Sequence, residues 1–238
     1  MKFSIDYTTR WHDTDADRRV RPSALLVYMQ ETSNRHVAEL GMSLDELRDE
    51  KGLAFILSKI RIAFHRPLSA FEDIRVETFT CPSRGYSSLR GFRVLAGEET
   101  VAEADTLWAL VDINNKGLRR IEDSGYSFED EEAPVLDLPT RTRASSDITL
   151  TEVGKREIVY SDIDYNMHMN NTRYPDMLCD YMPIEEVGLI KGMTLSYLRE
   201  AAFGDTLTVL RGRNENKYYF RTVNSAGEIC LEAVVVLR

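Results

Sequence analysis

The sequence predicts an α+β fold built on an antiparallel sheet, and three observations carry that prediction. The chain of 238 residues repeats itself. Each copy reads as one helix followed by consecutive β-type runs, with no helix between the runs. Hairpin chemistry separates the later runs, as in NENK (214–217) and NSAGE (224–228). Strands joined by short turns run antiparallel, and such a sheet can bury one face on a single long helix.

The repeat emerges when the chain is shifted by 149 positions, which lays WHDTDADRRVRPSALLVYMQE (11–31) under YSDIDYNMHMNNTRYPDMLCD (160–180). Asp13 falls on Asp162, Asp15 on Asp164 and Asp17 on Asn166, while Arg19 stands where His168 does. Farther on, AFHRPLSAFED (63–73) resembles SYLREAAFGD (196–205), and FRVL (92–95) meets FRTV (220–223). Glu103-Ala104 then meets Glu232-Ala233 in the same order, at an offset that shrinks through shorter loops. That order implies two copies of one unit, 1–121 and 148–238. The linker between them, 122–147, is rich in Glu, Asp, Pro and Ser and is expected to pack in part through Val135 and Leu136.

In the first copy a strand over 2–11 leads through the acidic turn into a helix. Its apolar face is Leu25, Leu26, Met29, Val37 and Leu40, with Ser23 near its start and Gly41 past its end. Strands are expected at 54–64, 74–81, 87–95 and 101–113. In the second copy a strand over 155–161 precedes the turn and helix, and strands follow at 189–201, 206–212, 217–223 and 229–237. Pro175 fits the second helix only within its first turn, with a start near Thr172.

Composition excludes several function classes. The chain is 43% hydrophobic and 29% charged, ordinary values for a soluble globular protein. A net charge of −9 argues against nucleic acid as a partner. Apolar runs such as VVVL (234–237) fall far short of the roughly 18 residues of a membrane span. The stretch MKFSIDYTTRW lacks the apolar core of a signal peptide. Cys81, Cys179 and Cys230 share no metal-type spacing and suit a reducing, cytoplasmic location.

The stretch SDIDYNMHMNN (161–171) sets Asp162, Asp164, Asn166 and His168 at alternate positions, with Asn170 and Asn171 just after. As a calcium loop it fails. Counting from Asp162, Met167 and Arg173 stand where the turn glycine and the bidentate glutamate belong; counting from Asp13, Arg18 and Ala24 do. A transition-metal site needs more convergent ligands than one of four scattered histidines, His12, His36, His65 and His168. Neither metal nor cofactor is expected. Helix capping accounts for Asp13 and Asp162, and Asn170 or Asn171 also suits a cap. His168, Asn166 and the Asn170-Asn171 pair occur in one copy alone, which points to one elaborated site and one copy turned to another use.

On these residues the sequence resembles the acyl-[acyl carrier protein] thioesterases of plants and bacteria. SDIDYNMHMNNTRY (161–174) matches the family's second-half signature, S-D-x-D-x-N-x-H-x-N-N-x-x-Y, at every fixed place. YLREA (197–201) aligns with a second segment, Y-x-R-E-C, and SALLVYMQETSNRHVAELG (23–41) occupies the place of the family's first helix. The resemblance covers nearly the whole chain. It implies a tandem double hotdog, each unit a long helix wrapped by an antiparallel sheet, with the acyl pocket in the first unit and catalysis in the second. It puts the catalytic Asp, Asn and His on Asp164, Asn166 and His168, and the catalytic Glu on Glu200. Ala201 replaces the cysteine of the plant enzymes, which excludes a Cys–His mechanism at that place; Cys179 and Cys230 read as buried structural residues. Leu26, Met29 and Phe55 are candidate pocket residues, beside ordinary core packing.

The implied activity is release of free fatty acid from acyl-[acyl carrier protein], ending or diverting fatty acid synthesis. Acyl-coenzyme A hydrolysis and a non-catalytic acyl-binding module are the alternatives. Amide donors near Met169–Asn171, with Asn170 and Asn171 as substrate-binding residues, would hold the oxyanion. Glu200 or Asp164 would activate water or attack directly, His168 would relay the proton, and Asn166 would position water or His168. General-base and anhydride routes both stay open, as does a homodimer. Acyl carrier proteins are acidic, so a chain of net charge −9 needs a local basic patch to meet one. The densest cluster is RRVR (Arg18, Arg19, Arg21), with Arg141, Arg143 and Lys191 weaker, and it is expected around the mouth leading to His168.

Overall fold

The computed structural model describes residues 2–115, 117–125 and 131–238. The first half runs β1 (Lys2–Thr8), α1 (Pro22–Glu39), α2 (Leu44–Asp49), β2 (Leu53–Phe64), β3 (Asp73–Arg84), β4 (Ser87–Ala96), β5 (Glu99–Asp112) and β6 (Gly117–Leu118). The second runs β7 (Thr151–Glu157), α3 (Tyr174–Asp180), α4 (Ile184–Val187), β8 (Ile190–Tyr197), β9 (Thr206–Asn214), β10 (Lys217–Val223) and β11 (Ile229–Leu237). The fold is α+β. Its strands form one antiparallel sheet in the order β1-β3-β4-β5-β2-β8-β11-β10-β9-β7, with β6 paired to β5. That order is its own mirror image once β7 is matched to β1, β8 to β2, β9 to β3, β10 to β4 and β11 to β5. The seam is β2 against β8, with Lys59 opposite Ser196 and Ala63 opposite Gly192. The two copies in the sequence are therefore two half-sheets joined edge to edge.

Pro22 opens α1 where a missing N–H leaves no bond unmade. Gly41, at φ 73°, closes it, with the Met42 N–H on the Val37 carbonyl and the Gly41 N–H on that of Ala38. Ser23 is not the cap; its hydroxyl donates to Asp176 Oδ2 of α3 at 2.5 Å. The helix lies against β1 and β3. Its first half buries Leu25, Leu26, Tyr28 and Met29, but its second half buries Thr32, Ser33 and His36, leaving Val37 and Leu40 half-buried. The expected apolar stripe thus turns polar midway.

The second helix departs from the long element expected in each unit: α3 has seven residues. Pro175 does sit in its first turn, and Pro183 blocks continuation, lacking an N–H and crowding the carbonyl four residues back. The next turn, α4, is separate. Helix α2 lies outside every expected element although its cap is legible: Ser43 Oγ accepts the Glu46 N–H at 3.1 Å, in an S-x-x-E pattern.

Within the expected linker, 126–130 lie outside the described residues. The part beyond them crosses the sheet on the face opposite the main core. Leu136 and Leu138 pack there with Ala63, Val234 and Val236, whereas Val135, expected to pack, is 97% exposed. Thr194 donates to the Pro139 carbonyl at 2.8 Å and Lys59 to that of Thr140 at 2.9 Å. A Cβ on Gly192 would stand 2.7 Å from the Ile62 carbonyl oxygen and 2.6 Å from a Leu138 methyl, so glycine is what lets the linker lie on the seam. Among the described residues no helix is long and apolar enough to cross a membrane.

Candidate active site

The two acidic turns share one backbone. In the first, the Asp15 N–H donates to the Arg19 carbonyl at 2.8 Å and the Arg18 N–H to that of Asp15 at 3.1 Å. In the second, Asp164 and Met167 make the matching bonds to His168 and Asp164, both 3.0 Å. Arg18 and Met167 both have φ 63°, a conformation that non-glycine residues avoid unless the surroundings impose it. The acids impose it. Asp15 and Asp164 accept the N–H two residues on, at 2.9 and 2.8 Å. Buried Asp13 and Asp162 accept the N–H groups of Arg10 and Val159 at 2.9 and 3.1 Å, and pair with the guanidinium groups of Arg10 and Arg156.

From the second turn His168 pairs through its backbone with Ala202, which sets its Nε2 3.3 Å from Glu200 Oε2. Glu200 follows the end of β8 and is 62% exposed, so the pair opens to water. Of the four residues expected to be catalytic, these two are in side-chain contact. Asp164 is engaged in its turn. Asn166 Oδ1 accepts from Arg48 Nη1 at 2.9 Å, and the Arg48 guanidinium also lies 5.8 Å from the centre of the Tyr165 ring. Arg48 comes from α2 of the first half, so the second-half turn is held across the two copies. No local sequence signal marks Arg48.

The amides near the turn are mostly committed. The Met169 and Asn170 N–H groups donate to the carbonyls of Ala201 and Asp162 at 2.8 and 2.9 Å, which removes both as oxyanion donors and leaves the Asn171 N–H. Asn170 Oδ1 caps the short turn Asn171–Arg173 by accepting the Thr172 N–H and hydroxyl, both at 2.9 Å. The Asn171 carbonyl accepts the Tyr197 hydroxyl at 3.0 Å, another contact the sequence did not announce. Leu26 and Met29 belong to the main core, but Phe55 packs on a separate cluster of Leu47, Leu53, Leu110 and Ile121, so the three do not share one cluster. Ala201 is buried. Burial pushes the Cys179 thiol up to about 12 and the Cys230 thiol up to about 11, so neither is an activated nucleophile.

Arg18, Arg19 and Arg21 do not ring the mouth at His168. Arg19 packs against Gly188, just before β8 begins, whereas Glu200 lies just beyond its end at Tyr197. At about 3.3 Å per residue the strand between them is roughly 25 Å long. Arg18 and Arg21 are exposed, Arg21 donating to the His12 carbonyl at 2.7 Å, and Arg19 is half-buried. Lys191 is paired with Asp137 at 2.7 Å.

Comparison with known proteins agrees with this architecture. The family profile described as the acyl-ACP thioesterase N-terminal domain matches residues 1–127, and that of the C-terminal domain matches 146–233. A chloroplastic palmitoyl-acyl carrier protein thioesterase of Arabidopsis thaliana is 24% identical over 228 residues, 88% of this chain and 55% of its own length. The chain thus spans about half the length of the curated relatives it matches. An acyl-ACP thioesterase from Bacteroides thetaiotaomicron shares the fold with a TM-score of 0.90 at 21% identity, over 100% of this chain and 98% of its own. A 12:0-ACP thioesterase from Umbellularia californica does so at 0.87 and 20% identity, over 100% and 97%. With both domain profiles matched in order along one continuous mirrored sheet, the chain belongs to the acyl-ACP thioesterase family.

Proposed function

We propose that the protein hydrolyses acyl-[acyl carrier protein] thioesters to free fatty acid, using two tandem hotdog units, 1–121 and 148–238, with catalysis in the second. One observation carries the reading: His168 and Glu200 meet at 3.3 Å beside the one acidic turn of two that has both. Glu200, open to water, takes a proton from the attacking water or attacks the carbonyl itself. His168 Nε2 holds the carboxylate and delivers a proton to the departing sulfur. When water attacks, its oxygen bonds to the acyl carbon as the carbon–sulfur bond breaks. When the carboxylate attacks, the same bond breaks to leave a mixed anhydride, which water then cleaves to free acid and Glu200. In both cases the carrier leaves as a thiol. The Asn171 N–H is the amide available to the developing oxyanion. Asp164 and Asn166 shape the turn, and Arg48 secures Asn166 from the first unit. An acidic carrier reaching this site meets exposed Arg48 and Arg173 rather than the RRVR turn. Cys179 and Cys230, buried thiols with raised pKa values, fit a reducing cytoplasm.

The test is hydrolysis of carrier-protein and coenzyme A thioesters of graded length. His168→Ala and Glu200→Gln should each lower turnover by about 10²–10⁴-fold at an unchanged thermal midpoint. Near-normal turnover in a folded variant would remove that residue from the mechanism. Tight acyl binding without hydrolysis of any thioester would establish the acyl-binding module instead.

A further inference from the structure

The turn that carries His168 has a twin, and the twin borders a cleft that the chemistry above does not use. Arg19 pairs with Ser69 as His168 pairs with Ala202, and the Val20 N–H donates to the Leu68 carbonyl as that of Met169 does to Ala201, both at 2.8 Å. Arg19 therefore stands for His168 and Pro67 for Glu200. The cover is reciprocal too. Arg48 of the first half reaches the second turn, and Gly188 of the second half abuts the first, where an added Cβ would lie 1.5 Å from Arg19 Nη1.

The cleft holds about 60 Å³, with Arg19, Asp15, Arg66 and Arg238 around an apolar floor that includes Phe64 and Ile190. Its charges are unequally matched. Arg66 is neutralised by Glu72 and Glu99, at 2.5 and 2.8 Å. The Arg238 guanidinium donates to the carbonyls of Phe64 and His65, and both acceptors are neutral. Asp15 spends Oδ1 on the N–H groups of Asp17 and Arg19, both at 2.9 Å. The Arg19 guanidinium has one counter-charge, Asp17 at 3.7 Å, and no hydrogen-bond acceptor among the described residues. A planar cation with unused donors above apolar walls fits a carboxylate carrying an alkyl chain. At roughly 10–15 Å³ for each water-sized position, the cleft takes the carboxylate and the first few carbons, and is too small for a phosphopantetheine arm.

We propose that this first-unit counterpart of the active site binds the carboxylate end of a free fatty acid. That the ligand is also the enzyme's product rests on the hydrolase reading; the site itself rests on the cleft and Arg19. The test is calorimetric titration with octanoate, octanol and inorganic phosphate, paired with mapping of a photoreactive octanoate by mass spectrometry. Octanoate should bind, octanol and phosphate should bind at least tenfold more weakly, and label should fall on the strand residues around Phe64 and Ile190. Arg19→Ala should weaken octanoate binding at least tenfold. Gly188→Ala should do so as well, with the charge kept, by displacing the guanidinium; its backbone, φ −67°, accepts alanine. Label confined to 164–203, equal binding of octanol, preference for phosphate, or indifference to both substitutions would overturn the site. Hydrolysis is not the readout, so a chain without thioesterase activity that still binds octanoate here would sink the hydrolase reading and leave this site standing.

Discussion

His168 and Arg19 occupy the same backbone position twice, and each is what its neighbour allows. Glu200 gives His168 a carboxylate at 3.3 Å, while the matching Pro67 offers Arg19 no side-chain partner. The acids around them have structural work in both turns, which is why their repetition was legible in the sequence and their catalytic share was not. Spacing puts Asp164 beside the site; only coordinates show its Oδ1 spent on the Asn166 N–H. The thiols allow a sharp test at this scale. With Cys230 pushed up to about 11 and Cys179 up to about 12 by burial, on the order of one Cys230 in 10³ is thiolate at pH 8, and fewer for Cys179. Iodoacetamide at pH 8 should therefore leave turnover intact over an hour, and Cys179→Ser and Cys230→Ser should hydrolyse at wild-type rates. Rapid inactivation that tracks alkylation of either cysteine in the folded protein would restore a thiol route.

Among elements, most strands were legible and the helices less so; the strand expected at 155–161 lies instead at 151–157, and that expected at 189–201 ends at Tyr197. Alternation over 217–223 and the apolar run 229–237 coincide with β10 and β11 because hairpin turns bound both. Helix α3 is shorter than the long helix the family resemblance implies because Pro183 stops it, and α2 is missed because six residues carry too little period to stand out. The buried polar end of α1 was missed for the opposite reason, since it has no apolar signal. There His36 Nδ1 accepts from Arg90 Nη1 at 2.9 Å, between β4 and a stacked Phe3. Burial, then the Arg90 charge, pushes His36 down to about 4. The unfolded chain protonates near 6.5 and the folded chain only near 4, so this contribution to stability is whole above pH 6.5 and declines as pH falls toward 4. At about 1.4 kcal/mol per pH unit it amounts to roughly 3 kcal/mol. Urea midpoints should fall across that window, and His36→Gln should flatten the fall. An unchanged slope in the variant would assign the acid sensitivity to other groups.

In the whole molecule the mirrored sheet explains why both turns share one backbone although their side chains differ. Five Cα pairs join β2 to β8, and through this seam each half supplies cover to the other's turn, so both turns keep their backbone although one holds Arg19 and Pro67 where the other has His168 and Glu200. The linker strengthens the same seam from outside. Leu138 is 8% exposed against Ala63, Val234 and Val236 and touches Gly192, whereas Val135, three residues earlier, is 97% exposed. The sequence could not rank them, because both are apolar residues in an irregular stretch and only the seam's missing Cβ decides which one docks. Truncating a buried leucine removes its transfer free energy and leaves a partial cavity, so Leu138→Ala should lower unfolding stability by about 2–4 kcal/mol. Val135→Ala should stay within about 0.5 kcal/mol of wild type, as exposed substitutions do. Urea unfolding of both variants decides the matter: a small loss for Leu138→Ala, comparable with that for Val135→Ala, would mean that the seam does not depend on the linker.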